Sequence, residues 1–595
     1  MLRFQREKIY QNREEISRKI TWGHWFAFFN IIWAIIIGSR YAFLSDWPST
    51  FLGRVYFFIS ILGHFSFIVF AFYLLLIFPL SFIIKNNRTF RGVSVIIATL
   101  SITVLLMDTE IYKRFYIHLS SMVWDLVVNP DNGELSRNWQ LFFTPMPIIL
   151  LVQMLFSHWS WQKQRSLERQ KWIKPVSYLF VFAFIGTHLI YAWADATFYR
   201  PITAQRANLP LSYPLTARSL LEKTGLLDRL DLEAKSTANG RNDAYPIEYP
   251  KRALHYTSGL AQQPNILLIN LSGLRYDAIT AKNMPELANF ATMSANFTRT
   301  YAAGNDPQRG LVGILYSLSG SYLDSILSQR IEPVFLQRIA QLDYQREAFF
   351  SGNQSHSLAQ LLSFTLPTTQ LVNDPLLVKH WQEWYQHLPE NRHWFSLLNF
   401  NLSQAVETKL KQQQSTTDKL SLEQTYQQVL VDTDQLLAQI LTTLGEELEH
   451  TLIIITADVG YDFDATSVQL GNFSPNLLRV PLLIHWQSIK PQSYQRLSST
   501  LDIVPTLLQE VFHIENPTID YALGKNLFSD DPAGWRLASN NRWHVIITTN
   551  GDQYQIDLKG NYYKYNQEYQ EQRSSRPPLG LFLSAFGKDR SFIEK

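Results

Sequence analysis

The residues that could carry chemistry in this chain are a few polar side chains that follow apolar segments in its C-terminal half. Ser272 follows the mainly apolar residues 265–271, and Asp458 and Val459 follow the mainly apolar stretch that begins at residue 451. Asp306 lies between them in the segment Gly-Asn-Asp-Pro. Carboxylates can hold a divalent cation that activates a nucleophile, and an aspartate can itself be the nucleophile. One ligand-like carboxylate and a neutral hydroxyl would make only a weak cation site.

Short apolar segments alternate with helical segments around these residues. Residues 265–271, 451–457 and 480–486 are typical of buried strands, residues 421–444 of a helix, and a further helix begins at residue 501. Such alternation predicts a mostly parallel α/β sheet, whose sites lie at the carboxyl ends of its strands. We expect this domain to cover residues 263–595.

The N-terminal third has a different composition, because the overall shortage of charged residues, 17% of the chain, falls mostly before residue 200. A helix needs about 20 mainly apolar residues to cross a bilayer. Five segments meet or approach this requirement, and they predict a five-helix transmembrane domain over residues 1–195. These segments are residues 22–44, 55–84, 92–107, 139–161 and 175–193. The third is short and is expected to end at Asp108.

Lysine and arginine predict the orientation of these helices. Fourteen of them fall in the N-terminal arm and in the loops after the second and fourth segments, against five on the other side. The positive-inside rule therefore predicts a cytoplasmic N-terminus and a periplasmic C-terminal domain. The net charge of +3 argues against a nucleic-acid partner, and the absence of cysteine excludes disulfides and thiolate metal sites.

A linker, residues 196–262, joins the two parts. Its prolines prevent one long helix, and a capped amphipathic helix is expected to begin at Thr216. Arg218 and Lys223 would then lie beside the outer face of the membrane that the helices cross, where guanidinium groups suit the phosphate oxygens of lipids. The spacing alone fits a lipid-phosphate site and a linker that merely docks on the bilayer equally well.

Several motifs carry a resemblance to known families. NILLINLSGLR, MPELANFATMSANFTRTYAAGN, LIIITADVG, RVPLLIHW and GKNLF resemble, in this order, the alkaline phosphatase/sulfatase superfamily. TWGHWFAFFN, FYRPIT and QRANLPLSYP extend the likeness to the whole chain, which resembles the YejM/PbgA family of Gram-negative inner-membrane proteins.

The superfamily resemblance implies a hydrolase domain without its catalytic residues. Active members hold their metal with an acid where this chain has Ser272 and with a histidine where it has Val459, and the region of Asp306 lacks the usual nucleophile. The domain is therefore expected to be a pseudoenzyme without cofactors.

The family resemblance implies a sensor of lipopolysaccharide that regulates lipid A synthesis, working with a LapB-like adaptor and the protease FtsH to control degradation of LpxC. The lipid-contact positions that it implies are Thr216, Ala217, Arg218, Ser219 and Leu220, with Ser219 in place of an arginine and Lys223 as a possible substitute. Two alternatives stay open: transport of cardiolipin or another phospholipid to the outer membrane, and a metal-dependent phosphoethanolamine or glycerol-phosphate transferase.

Overall fold

A computed structural model gives the fold of most of the chain in two compact units, one up to residue 216 and the other from residue 246. The residues that it describes are 2–43, 48, 50–115, 118–119, 144–163, 167, 170–197, 199–216, 246–257, 263–352, 357–362, 372–389, 392–413, 419–463, 472–530, 534–557, 561–572 and 578–593.

All elements of secondary structure in the described residues of the first unit are helices. Its helices are α1 (Leu2–Gly38), α2 (Phe51–Phe72), α3 (Phe78–Ile83), α4 (Asn87–Phe115), α5 (Met146–Gln162), α6 (Ile173–Ala196) and the short α7 (Arg200–Thr203). A π-helical turn, Tyr73–Ile77, makes α2 and α3 one continuous rod. Among the described residues, four stretches are long and apolar enough to cross a bilayer, namely Arg13–Phe43, Phe51–Ile83, Asn87–Lys113 and Ile173–Ala196. The remaining expected span corresponds to α5, which has 17 residues and is shorter than the span expected there.

The third span does not end at Asp108, as the sequence indicates, because that carboxylate has partners inside the protein. Asp108 is buried at the end of the bundle next to the linker, where it accepts hydrogen bonds from the hydroxyl of Tyr41 and the backbone N–H of Leu119. Nδ1 of His118 lies 2.7 Å from its Oδ2. A buried carboxylate with this many donors does not have to leave the helix to reach water, so α4 continues to Phe115.

The second unit is built on a seven-stranded sheet with the strand order β4-β5-β1-β6-β8-β2-β9. Its strands are β1 (Asn265–Ser272), β2 (Ala295–Phe297), β4 (Gln345–Phe350), β5 (Trp394–Asn401), β6 (Thr451–Thr456), β8 (Leu482–His485) and β9 (Gln492–Tyr494). The four strands β4, β5, β1 and β6 are parallel, as expected, whereas β8 is antiparallel to β6 and also to β2. The sheet is therefore mixed. Pro481 divides the expected strand 480–486 into β7 (Arg479–Val480) and β8.

Helices cover both faces of this sheet, since two separate apolar cores lie against alternate side chains of β1. They are α8 (Pro285–Thr292), α9 (Pro307–Tyr316), α10 (Leu323–Gln329), α11 (Val334–Gln341), α12 (Ser357–Leu362), α13 (Asp374–Gln386), α14 (Leu402–Gln413), α15 (Lys419–Leu444), α16 (Pro475–Leu478), α17 (Ile503–Thr506) and α18 (Leu579–Asp589). The expected helix 421–444 is thus confirmed within α15.

Two smaller sheets complete the unit. β3 (Thr300–Tyr301) and β10 (Ser498–Ser499) pair with each other, and β3 also pairs with β7. A five-stranded antiparallel sheet, which the sequence does not predict, follows near the C-terminus. Its strands are β11 (Trp535–Ser539), β12 (Trp543–Thr548), β13 (Gln553–Asp557), β14 (Tyr562–Tyr565) and β15 (Glu571–Gln572).

Candidate functional site

The carboxyl ends of β1 and β6 bring Ser272 and Asp458 to the same edge of the sheet, where an active member of this fold would hold its metal. Asp458 exposes only 1% of its surface. Its Oδ2 accepts a hydrogen bond of 2.9 Å from Nδ2 of Asn270, and its Oδ1 accepts one of 2.7 Å from the N–H of Val459. Nδ2 of Asn270 also donates to Oδ1 of Asn399, at 2.6 Å. The carboxylate is therefore held by amides within the protein.

Burial raises the pKa of Asp458 to about 7. The hydrogen bond from Asn270 and the one from the N–H of Val459 stabilise the charged form and work against this shift, while the negative charge of Asp306 adds to it. A protein that binds a cation through a carboxylate needs that carboxylate ionised. The raised pKa therefore favours the protonated form of Asp458, which is a poor ligand for a cation.

Asp306 lies at the start of α9, and its charge is used there. It caps the helix by accepting a hydrogen bond of 3.1 Å from the N–H of Arg309. The guanidinium of Arg309 also lies 2.7 Å from Oδ2 of Asp306 in an ion pair. Gly310, the next residue, packs so closely that a Cβ atom there would lie 2.0 Å from the carbonyl oxygen of Asp458. The helix therefore lies directly against the end of β6.

These residues do not fit a catalytic divalent cation. Such a cation prefers several oxygen ligands, with carboxylates prominent among them. Here Ser272 offers a neutral hydroxyl, Val459 offers no donor, and Asp306 already pairs with a cation. In the part of the chain that the structure describes, no three His, Asp or Glu side chains are grouped so that they could hold a metal ion.

The second candidate site is the linker, whose first part is bound to the ends of the apolar helices. The amide of Gln205 donates to the carbonyl of Gly53 at 3.0 Å, and the hydroxyl of Tyr199 donates to Thr50 at 2.9 Å. Further along the chain, Nε2 of His64 lies 2.7 Å from the carbonyl oxygen of Pro210.

The last described residues of this segment are fixed in the same way. The N–H of Leu215 donates to Nδ1 of His188 at 3.1 Å, so the ring is in the tautomer that accepts there. His188 lies eight residues before the end of α6, which places this contact about 12 Å along the helix from its end. Leu211, Tyr213 and Leu215 expose 55–73% of their surfaces. An apolar strip of the linker therefore lies at the depth of the helices rather than above them.

The predicted lipid-contact residues follow directly. Thr216 is exposed at the end of this bound segment. The others lie outside the described residues, and these are Ala217, Arg218, Ser219, Leu220 and Lys223.

Sequence reasoning missed the residues that hold both sites together. Asn270 had a visible signal, because it is an amide inside an otherwise apolar strand. Arg309 and His188 gave no signal of comparable strength. Their partners are recognisable only from the fold. For His188, the partner is the backbone N–H of a residue 27 positions away.

The fold and the two sites define a class: apolar, membrane-type helices followed by an α/β domain of the sulfatase and alkaline phosphatase type. Residues 264–511 match the sulfatase family, and residues 8–256 match a domain of unknown function, DUF3413. Among solved structures, an alkaline phosphatase superfamily protein from Vibrio parahaemolyticus covers 62% of this chain and 98% of its own, with 13% identity and a TM-score of 0.44. A phosphonate monoester hydrolase from Agrobacterium radiobacter covers 52% and 91%, with 14% identity and a TM-score of 0.39.

Relatives are similar over the whole length. An uncharacterised protein of Haemophilus influenzae is 49% identical over 592 residues, which is 98% of both chains. The inner membrane protein YejM of Salmonella typhimurium is 38% identical over 589 residues, again 98% of both. The chain belongs to the YejM family of inner membrane proteins, as its motifs indicate.

Proposed function

We propose that this protein is a sensor of lipopolysaccharide in the periplasmic leaflet of the inner membrane, and that it regulates lipid A synthesis. In this proposal the linker binds lipid A, and the apolar helices pass the signal to a LapB-like adaptor, which acts with FtsH on the degradation of LpxC. The orientation that it requires, with the N-terminus in the cytoplasm, is supported by the distribution of lysine and arginine.

The observation that carries the proposal is the way in which the linker is bound. The contacts of His64 with Pro210 and of His188 with Leu215 hold residues 208–215 beside α2 and α6. The strip of Leu211, Tyr213 and Leu215 then faces acyl chains, and the chain leaves it at Thr216, next to Arg218. An acyl surface followed immediately by a guanidinium matches an amphiphile with a phosphorylated headgroup.

The same contacts supply a route for the signal. His188 belongs to α6, and its partner Leu215 immediately precedes the lipid-contact residues. A lipid can shift a conformational equilibrium only if it binds the two states with different affinities. In this proposal, one state has residue 215 bonded to α6 and the other has this bond broken, and lipid A binds them unequally.

The sulfatase-like domain has no catalytic role in this proposal. Its one buried carboxylate at the metal position is bonded to amides, and its second acid is paired with Arg309. Loss of a nucleophile alone reduces the rate of a hydrolase by up to about six orders of magnitude. No residue at this edge of the sheet is assigned a function in lipid sensing.

Two substitutions test the linker and the carboxyl end of β6 separately. Arg218→Ala is expected to reduce binding of lipid A to the full-length protein in mild detergent by about tenfold, since it removes a charge-assisted contact of about 1.5–3 kcal/mol. In cells, the same substitution is expected to change the level of LpxC. Asp458→Ala is expected to leave both readouts as they are in the wild type.

The control for charge is Arg13→Ala, which removes an exposed cation from the opposite end of the bundle. An equal loss of lipid A binding in Arg218→Ala and Asp458→Ala would refute the assignment to the linker. Stoichiometric uptake of manganese or zinc together with cleavage of a phosphoester would refute the pseudoenzyme.

A further inference from the structure

Three arginines meet at the end of the helical bundle that lies opposite the linker. Arg18 is on α1, and Arg88 and Arg91 are on one face at the start of α4. The guanidinium carbons of Arg18 and Arg91 lie 4.5 and 4.6 Å from the centre of the same indole ring, that of Trp161 on α5. Contacts of this length are cation–π interactions, and they hold two positive charges in fixed positions around one ring.

No acid of the described residues forms an ion pair with this cluster. None of the three arginines forms an ion pair within that part of the chain, and the first turn of α4 contains no acidic residue. Nε of Arg91 is buried and has no hydrogen-bond partner there. Bringing three like charges together is unfavourable unless an anion joins them, so the arrangement is that of a binding site for an anion.

The position of the cluster identifies the kind of anion. Trp159 and Trp172 both pack against the ring of Trp25, and Trp161 follows Trp159 in the last turn of α5. Tryptophans are enriched in this way at the boundary between membrane and water. Directly beyond the arginines, α4 presents a lipid-facing stripe at every fourth residue. At Gly92 a Cβ atom would meet nothing within 4 Å, and Ile96, Leu100 and Val104 then expose 55%, 47% and 38% of their surfaces.

We propose that Arg18, Arg88, Arg91 and Trp161 form a binding site for the phosphodiester headgroup of an anionic phospholipid in the leaflet next to the N-terminal end of α1. One acyl chain of this lipid lies along Gly92, Ile96 and Leu100. Basic pockets between transmembrane helices bind such headgroups in other membrane proteins. The site lies at the other membrane surface from the linker and does not depend on lipid A sensing.

A general preference for positive charge at this surface would leave the arginines dispersed and hydrated. Lys171 and Lys174, on the same side of the membrane, are exposed in this way. Arg18 and Arg91 instead converge on one ring, and the site should therefore retain one lipid rather than attract many weakly.

The test uses the full-length, delipidated protein in a mild detergent, with native mass spectrometry to count bound lipids. Phosphatidylglycerol and phosphatidylcholine are added separately, and glycerol phosphate serves as the headgroup without acyl chains. We expect one retained phosphatidylglycerol with an affinity at least about tenfold higher than that for phosphatidylcholine or glycerol phosphate.

The double variant Arg18→Gln/Arg91→Gln is expected to lose about tenfold or more in this affinity. The matched control, Arg13→Gln/Lys174→Gln, removes the same net charge from the same surface and is expected to lose no more than about twofold. Arg18→Lys/Arg91→Lys keeps the charge but removes the planar guanidinium groups, so its affinity for phosphatidylglycerol should lie between those of the two glutamine variants. Thermal melting of each variant shows whether it is folded.

Three results would overturn the proposal. Equal losses in the glutamine variants would mean that only net charge matters. Equal affinities for the two phospholipids would mean that the site does not select an anionic lipid, because both lipids carry a phosphodiester. Glycerol phosphate bound as tightly as the lipid would make this a site for a soluble anion.

Discussion

Asp458 makes the stability of the sulfatase-like domain depend on pH in a direction that can be predicted. Its pKa is raised from 3.8 to about 7 by burial. An acid with a raised pKa holds its proton more tightly in the folded state, so its contribution to stability is complete below pH 3.8. It is lost as the pH rises, and the loss levels off above about pH 7.

The size of the effect follows from the shift. Each pKa unit corresponds to about 1.4 kcal/mol, so between about pH 5 and about pH 8 the wild-type domain should lose about 3 kcal/mol of its free energy of unfolding through this group. Asp458→Asn cannot ionise and should not show this loss. Asn270 can accept the new amide, because its Oδ1 has no hydrogen-bond partner among the described residues and rotation of its amide would turn this atom toward residue 458.

Hydrogen exchange with mass spectrometry measures this on the full-length protein. Peptides that contain β1 and β6 report the opening of the sheet, and comparison of variant with wild type at each pH cancels the intrinsic exchange rate. Asp458→Asn should become more stable than the wild type as the pH rises, by an amount that grows by about 3 kcal/mol across this range.

Asp277→Asn is the matched control. Burial alone would raise the pKa of Asp277, but the hydrogen bond and the charge of Arg275 outweigh it and hold this pKa below its usual value of 3.8. The contribution of Asp277 is therefore fully present above pH 3.8 and is lost only as the pH falls through the lower folded-state value. The difference between Asp277→Asn and the wild type should stay constant from about pH 5 to about pH 8.

A difference for Asp458→Asn that does not change with pH would refute the reasoning, because Asp458 would then not titrate in this range. A wild-type domain that gains stability with rising pH in the presence of manganese, and loses this gain with a chelator, would also refute it. That result would mean that a bound cation keeps Asp458 ionised.

Further predictions concern the packing around this carboxylate and the linker. Gly310→Ala should lower the free energy of unfolding of the domain by about 1–3 kcal/mol in the same exchange experiment, because the new Cβ would overlap the carbonyl of Asp458. The control is Gly587→Ala, where the new Cβ would meet no atom, and this free energy should change by less than about 1 kcal/mol. Asp306→Asn keeps the helix cap and loses only the partly exposed ion pair, at a cost below about 1 kcal/mol, and Asp306→Ala should cost about 1 kcal/mol more. His188→Ala should increase the mobility of a spin label attached at Leu211→Cys, which is a single labelling site because the chain has no cysteine. The control, His158→Ala, should leave this mobility unchanged. Equal mobility in both variants would mean that the hydrogen bond from Leu215 to His188 does not hold the linker.

The parts of the fold that could be predicted are those whose signal is local. Runs of apolar residues predict the positions of three strands. The helical spacing of apolar residues predicts α15, and the length of the apolar segments predicts the apolar helices. The antiparallel pairing of β8 with β6 has no such local signal, because the composition of a short apolar strand does not show in which direction it pairs. The C-terminal sheet could not be predicted because its strands contain both polar and apolar residues and are separated by turns. They therefore give only a weak pattern of hydrophobicity.

Residues that depend on distant partners could not be predicted. Asp108 looked like the end of a span, and only its contacts with Tyr41 and His118 explain why the helix continues. The binding of the linker rests on His64 and Pro210, which are 146 residues apart. Spacing along the chain carries no information about such pairs, and for this reason the sequence left a docked linker and a lipid site equally open.

The charges of the two candidate sites argue for a division of labour within the chain. At the carboxyl ends of β1 and β6 both acids have partners: Asp306 pairs with Arg309, and Asp458 accepts from Asn270 and from the backbone. A site whose charges are already paired must break those pairs before it can bind a charged substrate, at a cost of several kcal/mol. At the membrane the opposite holds, since Arg18 and Arg91 have no carboxylate partner among the described residues. Binding of anions therefore costs least where the protein meets lipid, and that is where its ligands are expected.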